Sequence, residues 1–388
     1  MAWHVIRWAI LLLALAPFAY YLLAIVSALR FFGGRHEVLP TGFAPPVSVL
    51  KPVHGLDREA YENYASFCRQ HYPEYEILFN VADEFDPAIP MIETIIRDFP
   101  EVSIRLLIGA EQLGSFNKVN KLVRMAREAK YDILVVSDSD IRVGSEYLRE
   151  VVTPFKDSQV GAVTCLYRGL ADDSFGSQLE ALGNSSDFDA GVLAGWQLQG
   201  VNFTLGATMA TTKSRLAEIG GFEALVDLFV DDYELGHRIA ARGYRIELIS
   251  YPVETVYPRE TLRESFAHQV RWNLAIRNAE PLKGLGLVFV HGLPWALLAA
   301  ALAPSARLAA IYLGGYVVLR FAMAWTVGVW GLRDPLLRRK IWMLPLRDAF
   351  AFLVWLRSLF NHRVQWRGSE YIIRDKRLVP AGPRAARG

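Results

Sequence analysis

ILVVSDSDIRVG, residues 133–144, sets an apolar run against two carboxylates. The run Ile133–Val136 reads as a buried strand, because four consecutive apolar residues bounded by polar ones suit a sheet interior. Asp138 and Asp140 then stand at its carboxyl end. Residues two apart in extended chain point the same way, so the carboxylates repel each other unless a cation or sugar hydroxyls lie between them. Mg²⁺ and Mn²⁺ favour oxygen ligands of this kind and often bridge to substrate phosphates. A solvated Asx turn would leave the same trace, so D-x-D alone does not choose between them.

Working outward, further strands are expected at 47–53, 76–82, 102–108 and 160–166, with helical patterns near 57–70, 87–98 and 117–129. This alternation predicts an α/β domain over 40–280, a mostly parallel sheet with helices on both faces. Ligands of such sheets sit outside the carboxyl ends of the strands, which is where Asp138 and Asp140 fall.

Apolar segments flank this domain on both sides. Residues 5–29 are long enough to cross ~30 Å of hydrocarbon and lack a signal-peptide cleavage pattern, so residues 1–36 are expected to be a retained anchor. Residues 285–303 and 308–332 are each long enough to span. Arg320 lies within the second and must face protein or a polar cavity. Residues 341–360 carry Pro345, Arg347, Asp348 and Arg357 and read as an interfacial helix. The segment 281–362 is thus a set of transmembrane and interfacial helices, and 363–388 a basic tail with hairpin-like alternation. Arg30, Arg35 and His36 follow the anchor, and Arg333, Arg338, Arg339 and Lys340 follow the last span. The positive-inside rule then puts the N-terminus outside and the 40–280 domain and the tail in the cytoplasm. The expected location is multi-pass, at a bacterial inner membrane.

Composition agrees with a membrane protein that carries a soluble domain. The 388 residues are 52% hydrophobic, with a mean hydropathy of +0.19. Net charge is only +2, so no nucleic-acid partner is implied. Cys68 and Cys165 form no spacing pattern and read as free thiols of a reducing compartment.

Two further stretches carry chemistry. In FVDDYELGHRIAARGYRIEL (229–248), Asp231 and Asp232 precede an amphipathic helix, where acids serve as caps or stay ionised as a base must. In HQVRWNLAIR (268–277), Arg271 and Trp272 suit a membrane-interface anchor, or a cation and an aromatic wall for a ligand. Lys51 and Lys118 are candidates for donor phosphate, or else part of solvated faces. SFNKVNKL lacks P-loop glycine spacing. The Gly- and aromatic-rich segment 184–207 is a candidate acceptor wall or a connecting loop.

In this order and spacing, KPVHGLD (51–57), QHYPEYEILFNVADEFDPAI (70–89), GSFNKVNKL, YDILVVSDSDIRV, VDDYELGHRIAARGYRIEL and HQVRW resemble the GT-A nucleotide-sugar glycosyltransferases marked by D, D, D and (Q/R)xxRW. They resemble most the ceramide glucosyltransferase branch, glycosyltransferase family 21. The resemblance implies donor contacts from Asp83 and Asp86, a second motif aspartate at Asp138, metal ligands Asp138 and Asp140, and a catalytic base at Asp232. Animal ceramide enzymes look like D-S-G where this chain has Asp138-Ser139-Asp140. The box carries Arg271 and Trp272, but His268 stands at its first position, with Gln269 one residue on. The resemblance further implies a Mg²⁺ or Mn²⁺ cofactor, a UDP-sugar donor and a membrane lipid acceptor. The expected reaction moves glucose from an α-linked UDP-sugar to a lipid hydroxyl such as that of ceramide, with inversion to a β-glycosyl lipid.

A hopanoid glycosyltransferase using UDP-N-acetylglucosamine shares these motifs. A processive polysaccharide synthase would need more C-terminal spans, and a transporter more intramembrane polar residues. A dehydrogenase would need G-x-G-x-x-G after the first strand. A lipid-binding protein with a decayed transferase domain would have no reason to keep Asp86, Asp138, Asp232, Arg271 and Trp272.

Overall fold

The computed structural model describes residues 1–34, 42–228, 230–279 and 286–360, and the backbone of three C-terminal strands. In chain order the elements are α1 (Ala2–Leu13), α2 (Ala16–Gly33), β1 (Val47–Pro52), α3 (Ala60–Cys68), β2 (Tyr75–Val81), α4 (Ile89–Asp98), β3 (Ser103–Ile108), α5 (Asn117–Glu128), β4 (Ile133–Val136), β5 (Ile141–Arg142), α6 (Tyr147–Val152) and β6 (Val160–Leu170). Then come α7 (Phe175–Gly183), α8 (Asp189–Gln199), β7 (Met209–Thr212), α9 (Lys213–Glu218), α10 (Asp231–Ala241), β8 (Arg245–Val256) and α11 (Leu262–Ala279). The chain continues through α12 (Gly292–Leu302), α13 (Ala306–Ala324), α14 (Pro335–Lys340) and α15 (Leu344–Leu359), and ends in β9 (Arg363–Trp366), β10 (Ser369–Arg374) and β11 (Arg377–Pro380).

The chain divides into two units. The first holds residues 36–167, 201–258 and 363–388. Its main sheet runs β3-β2-β1-β4-β7-β6-β8-β5. The strands β3, β2, β1 and β4 are parallel, in line with the mostly parallel sheet expected over 40–280. β7 pairs antiparallel with both β4 and β6, and β5 with β8, so the sheet is mixed. β1 and β4 are buried along their whole length, which explains why they read as apolar runs without alternation. One face packs Val47, Val49, Ile77, Phe79, Val135 and Tyr147 into a continuous core. β9, β10 and β11 form a separate antiparallel sheet, which extends the hairpin-like tail by one strand.

The second unit holds residues 1–35, 168–200 and 259–362. Two of its helical stretches, Ala2–Gly33 and Ala306–Gly331, are long and apolar enough to cross a membrane. The expected span at 285–303 is not one of them. Its helix α12 has 11 residues, about 16 Å of rise. A 3-10 turn at Leu287–Val290 precedes it, and Pro294 in its first turn cannot extend a helix backwards. Leu11, Ala14, Ala299 and Tyr312 cluster where α1, α12 and α13 meet.

Arg320 of α13 is 1% exposed. Its guanidinium donates to both oxygens of Asp348 at 2.8–3.0 Å and to Ser186, and it pairs with Asp187. Tyr316 donates to Asp348 at 2.8 Å. A buried charge persists only when paired and hydrogen-bonded, and this one is.

Candidate active site

The carboxyl ends of β1 and β4 finish together. Leu50 pairs with Val136, and Ser137 N–H donates to Leu50 O at 3.1 Å. β7 runs the other way, with Met209 beside Val136. The residues just before β7 therefore lie against those just after β4. A Cβ on Gly206 would stand 3.2 Å from both Asp138 Oδ2 and Asp232 Oδ2. Sheet register thus brings together two aspartates that are 94 positions apart in the sequence.

Asp232 lies in the first turn of α10. Tyr233 N–H donates to its Oδ1 at 2.8 Å, and Gly206 N–H donates to its Oδ2 at 2.9 Å. Thr204 Oγ1 donates to its backbone carbonyl at 2.6 Å. Burial and the neighbouring Asp231 push the Asp232 carboxyl up to about 7, against the pull of Lys118. Gly236 lets this happen. A Cβ there would meet the backbone of Phe203 and Thr204, so only glycine allows the 203–206 segment to lie on α10.

Lys118, in the first turn of α5, joins the two motifs. Its Nζ is 2.8 Å from Asp138 Oδ1 and 3.3 Å from Asp231 Oδ2. Burial works against its charge, but Asp138, Asp231 and Asp232 hold the ammonium above its ordinary pKa. Lys51 of β1 is fully buried, 3.7 Å over the Phe67 ring, and donates to Asp138 O at 2.8 Å. Burial lowers it to about 7, partly offset by Asp140 and Asp138. Asp140 rises to about 7 through burial, then through Asp138 and Asp57.

Asp86 is 7% exposed. Its carboxylate accepts Gly55 N–H at 3.1 Å and Ala88 N–H at 3.0 Å, which ties the loop after β1 to the start of α4. Asp83 accepts Phe85 N–H at 2.9 Å in the same turn. Both therefore shape a loop beside β1 and β2.

His268, Gln269, Arg271 and Trp272 all lie on α11, in the other unit. Gln269 is 8% exposed. It donates to Ser265 Oγ at 3.1 Å and accepts from Arg347. Trp272 is 42% exposed. Glu180, Glu260 and His268 place one potential ligand atom each within 4.8 Å of one another. Thr204 and Gly206 fall in the 184–207 segment read as a candidate acceptor wall or a connecting loop, whereas Glu180 and Glu260 fall in no recognisable motif.

The oxygens around Asp138 suit a divalent cation. Asp138, Asp140, Asp231 and Asp232 face two lysines, and the carboxyls of Asp140 and Asp232 rise in pKa through burial first and through the neighbouring carboxylates second. Hard oxygen donors with surplus negative charge are what Mg²⁺ or Mn²⁺ requires.

A model of glycosyl transferase family 21 matches residues 4–379. The chain belongs to this family. Two similar family relatives are from Caenorhabditis elegans. Ceramide glucosyltransferase 3 is 27% identical over 369 residues, covering 91% of this chain and 78% of the relative. Ceramide glucosyltransferase 1 is 25% identical, covering 87% and 73%. A ceramide glucosyltransferase from Komagataella phaffii is 33% identical over a shorter stretch, 36% of this chain and 30% of the relative. Among solved structures, a mannosyltransferase from Pyrobaculum calidifontis, determined with GDP-mannose and Mn²⁺, superposes with a TM-score of 0.56. It shares 20% identity and covers 91% of this chain and 98% of its own. The expected GT-A glycosyltransferase fold is therefore the fold found.

Proposed function

We propose that this family 21 enzyme transfers a sugar, glucose by preference, from a UDP-sugar to the hydroxyl of a ceramide-like lipid, with inversion to a β-glycoside. The observation that carries this reading is the Asp232 carboxylate. Two backbone N–H groups fix it, and it lies across Gly206 from Asp138. Asp232 takes the proton of the acceptor hydroxyl. The hydroxyl oxygen bonds to the anomeric carbon as the bond to the diphosphate oxygen breaks, and UDP leaves with that electron pair. Lys118 holds Asp138 and Asp231 in place. A divalent cation on Asp138 and Asp140 would neutralise charge on the departing diphosphate. Asp83 and Asp86 shape the donor pocket, and the Arg271–Trp272 pair serves the acceptor and diphosphate.

The two long apolar stretches fit a lipid substrate that does not leave the bilayer cheaply. We place the catalytic unit in the cytoplasm, on the side of Arg338, Arg339 and Lys340. This orientation requires α12 and α13 to enter and return as a hairpin, with α12 as its short arm.

The test uses full-length protein in detergent with radiolabelled UDP-glucose or UDP-N-acetylglucosamine, offered ceramide, diacylglycerol or a hopanoid polyol with Mg²⁺ or Mn²⁺. Labelled glucosylceramide is the expected product. Transfer only from UDP-N-acetylglucosamine to the hopanoid overturns the substrate assignment. No transfer or donor hydrolysis in any arm overturns the enzymatic one.

A further inference from the structure

His268 stands where the family pattern carries Gln or Arg, and its surroundings show how it serves there. Its Nε2 lies 3.1 Å from Trp272 Nε1. An indole N–H only donates, so His268 Nε2 holds a lone pair. The ring proton then sits on Nδ1, 2.7 Å from Glu180 Oε1. Glu180, on α7, is 7% exposed. Its other oxygen accepts Ser265 Oγ–H at 3.2 Å, and Ser265 in turn accepts from Gln269. Gln269 is held by Ser265 and Arg347, so His268 is the residue of the box that touches the exposed indole.

We infer that Glu180 is a positioning residue: it fixes His268 as the Nδ1–H tautomer, and His268 in turn fixes the ring of Trp272. The neutral histidine side chain in water prefers its proton on Nε2, so the carboxylate imposes the less common form. The same geometry argues against a metal among Glu180, Glu260 and His268. A cation on Nδ1 would need the proton on Nε2, where it would face the Trp272 N–H donor to donor. The functional consequence rests on the proposal that the Arg271–Trp272 pair serves substrate; the tautomer itself does not.

Two measurements on the full chain separate these parts. In protein labelled with ¹⁵N-histidine, the His268 signals are those lost in His268→Gln, and solid-state spectra read their protonation directly. The expected result is a neutral Nδ1–H ring in the parent chain and loss of that form in Glu180→Met. An Nε2–H ring, an imidazolium, or signals that shift on addition of Zn²⁺ or Mn²⁺ overturn the assignment, whether or not the protein is active. In kinetics, Glu180→Met should cost about tenfold in kcat/KM for the lipid, the scale of one lost close contact to a buried carboxylate, with donor KM unchanged. In a His268→Gln background the same change should cost under about threefold, because a glutamine carbonyl accepts from the indole without a tautomer to fix. Equal losses in both backgrounds, with melting temperatures unchanged, would reduce Glu180 to a packing residue and overturn the inference.

Discussion

In the proposed reaction Asp232 must stay still and still take a proton. Two backbone N–H groups supply the first property, and burial beside Asp231 the second. Asp232→Asn keeps the shape and removes the basicity. Turnover should fall by about 10²–10⁴-fold while UDP binding, read by calorimetry, stays near the parent value. The base works unprotonated and its pKa is raised to about 7. Activity should therefore be full above that value and decline as pH falls through it, giving kcat/KM an acidic limb near 7. Replacing Gly206 tests the geometry. A Cβ there presses on both Asp138 and Asp232, so Gly206→Ala should lower kcat by about tenfold with little change in melting temperature. Asp138 and Asp232 were legible because motif order names them. Gly206 was not, since it acts through its backbone and its place is set by the pairing of β7 with β4. The carboxylate of Asp86 was legible as important, but the sequence does not say that backbone N–H groups from two loops converge on it.

At the scale of elements, β4 was readable because burial leaves an unbroken apolar run, whereas β1, β2 and β3 were readable despite Ser48, Lys51, Glu76 and Arg105 among their apolar residues. β7 was missed: its four residues, Met209–Thr212, are too few to show a period. The long apolar tracts were read by length, which is blind to breaks. Residues 5–29 fold as two helices, α1 and α2, divided at Ala14–Leu15 with Pro17 in the first turn of the second. Among the described residues, the tract 285–303 yields a 3-10 turn and the short α12. In α10, propensity and packing disagree at Gly236. Alanine there gains about 1 kcal/mol of helix propensity but collides with Phe203 and Thr204, and overpacking costs about 1–3 kcal/mol. Gly236→Ala should therefore lower the melting temperature, and lower turnover further by shifting the Gly206 N–H away from Asp232.

At the scale of the whole molecule, the Arg320 cluster ties together parts of the chain that are remote in sequence. Asp187, Ser186, Tyr316 and Asp348 all reach it. Breaking a buried pair on one side costs about 3–5 kcal/mol. Arg320→Met alone should thus reduce the yield of folded protein, measured by monodisperse recovery in detergent. Arg320→Met with Asp348→Leu should recover much of it, since apolar replacement of both partners is often neutral. The cluster also sets an order on biosynthesis. Arg320 emerges from the ribosome 28 residues before Asp348, so in the proposed topology α13 would reach the insertion machinery with its charge only half matched. Asp187 is already made by then and Asp348 is not. A nascent chain arrested between the two should stay bound to the translocon or an insertase, and be released into lipid once α15 has been synthesised.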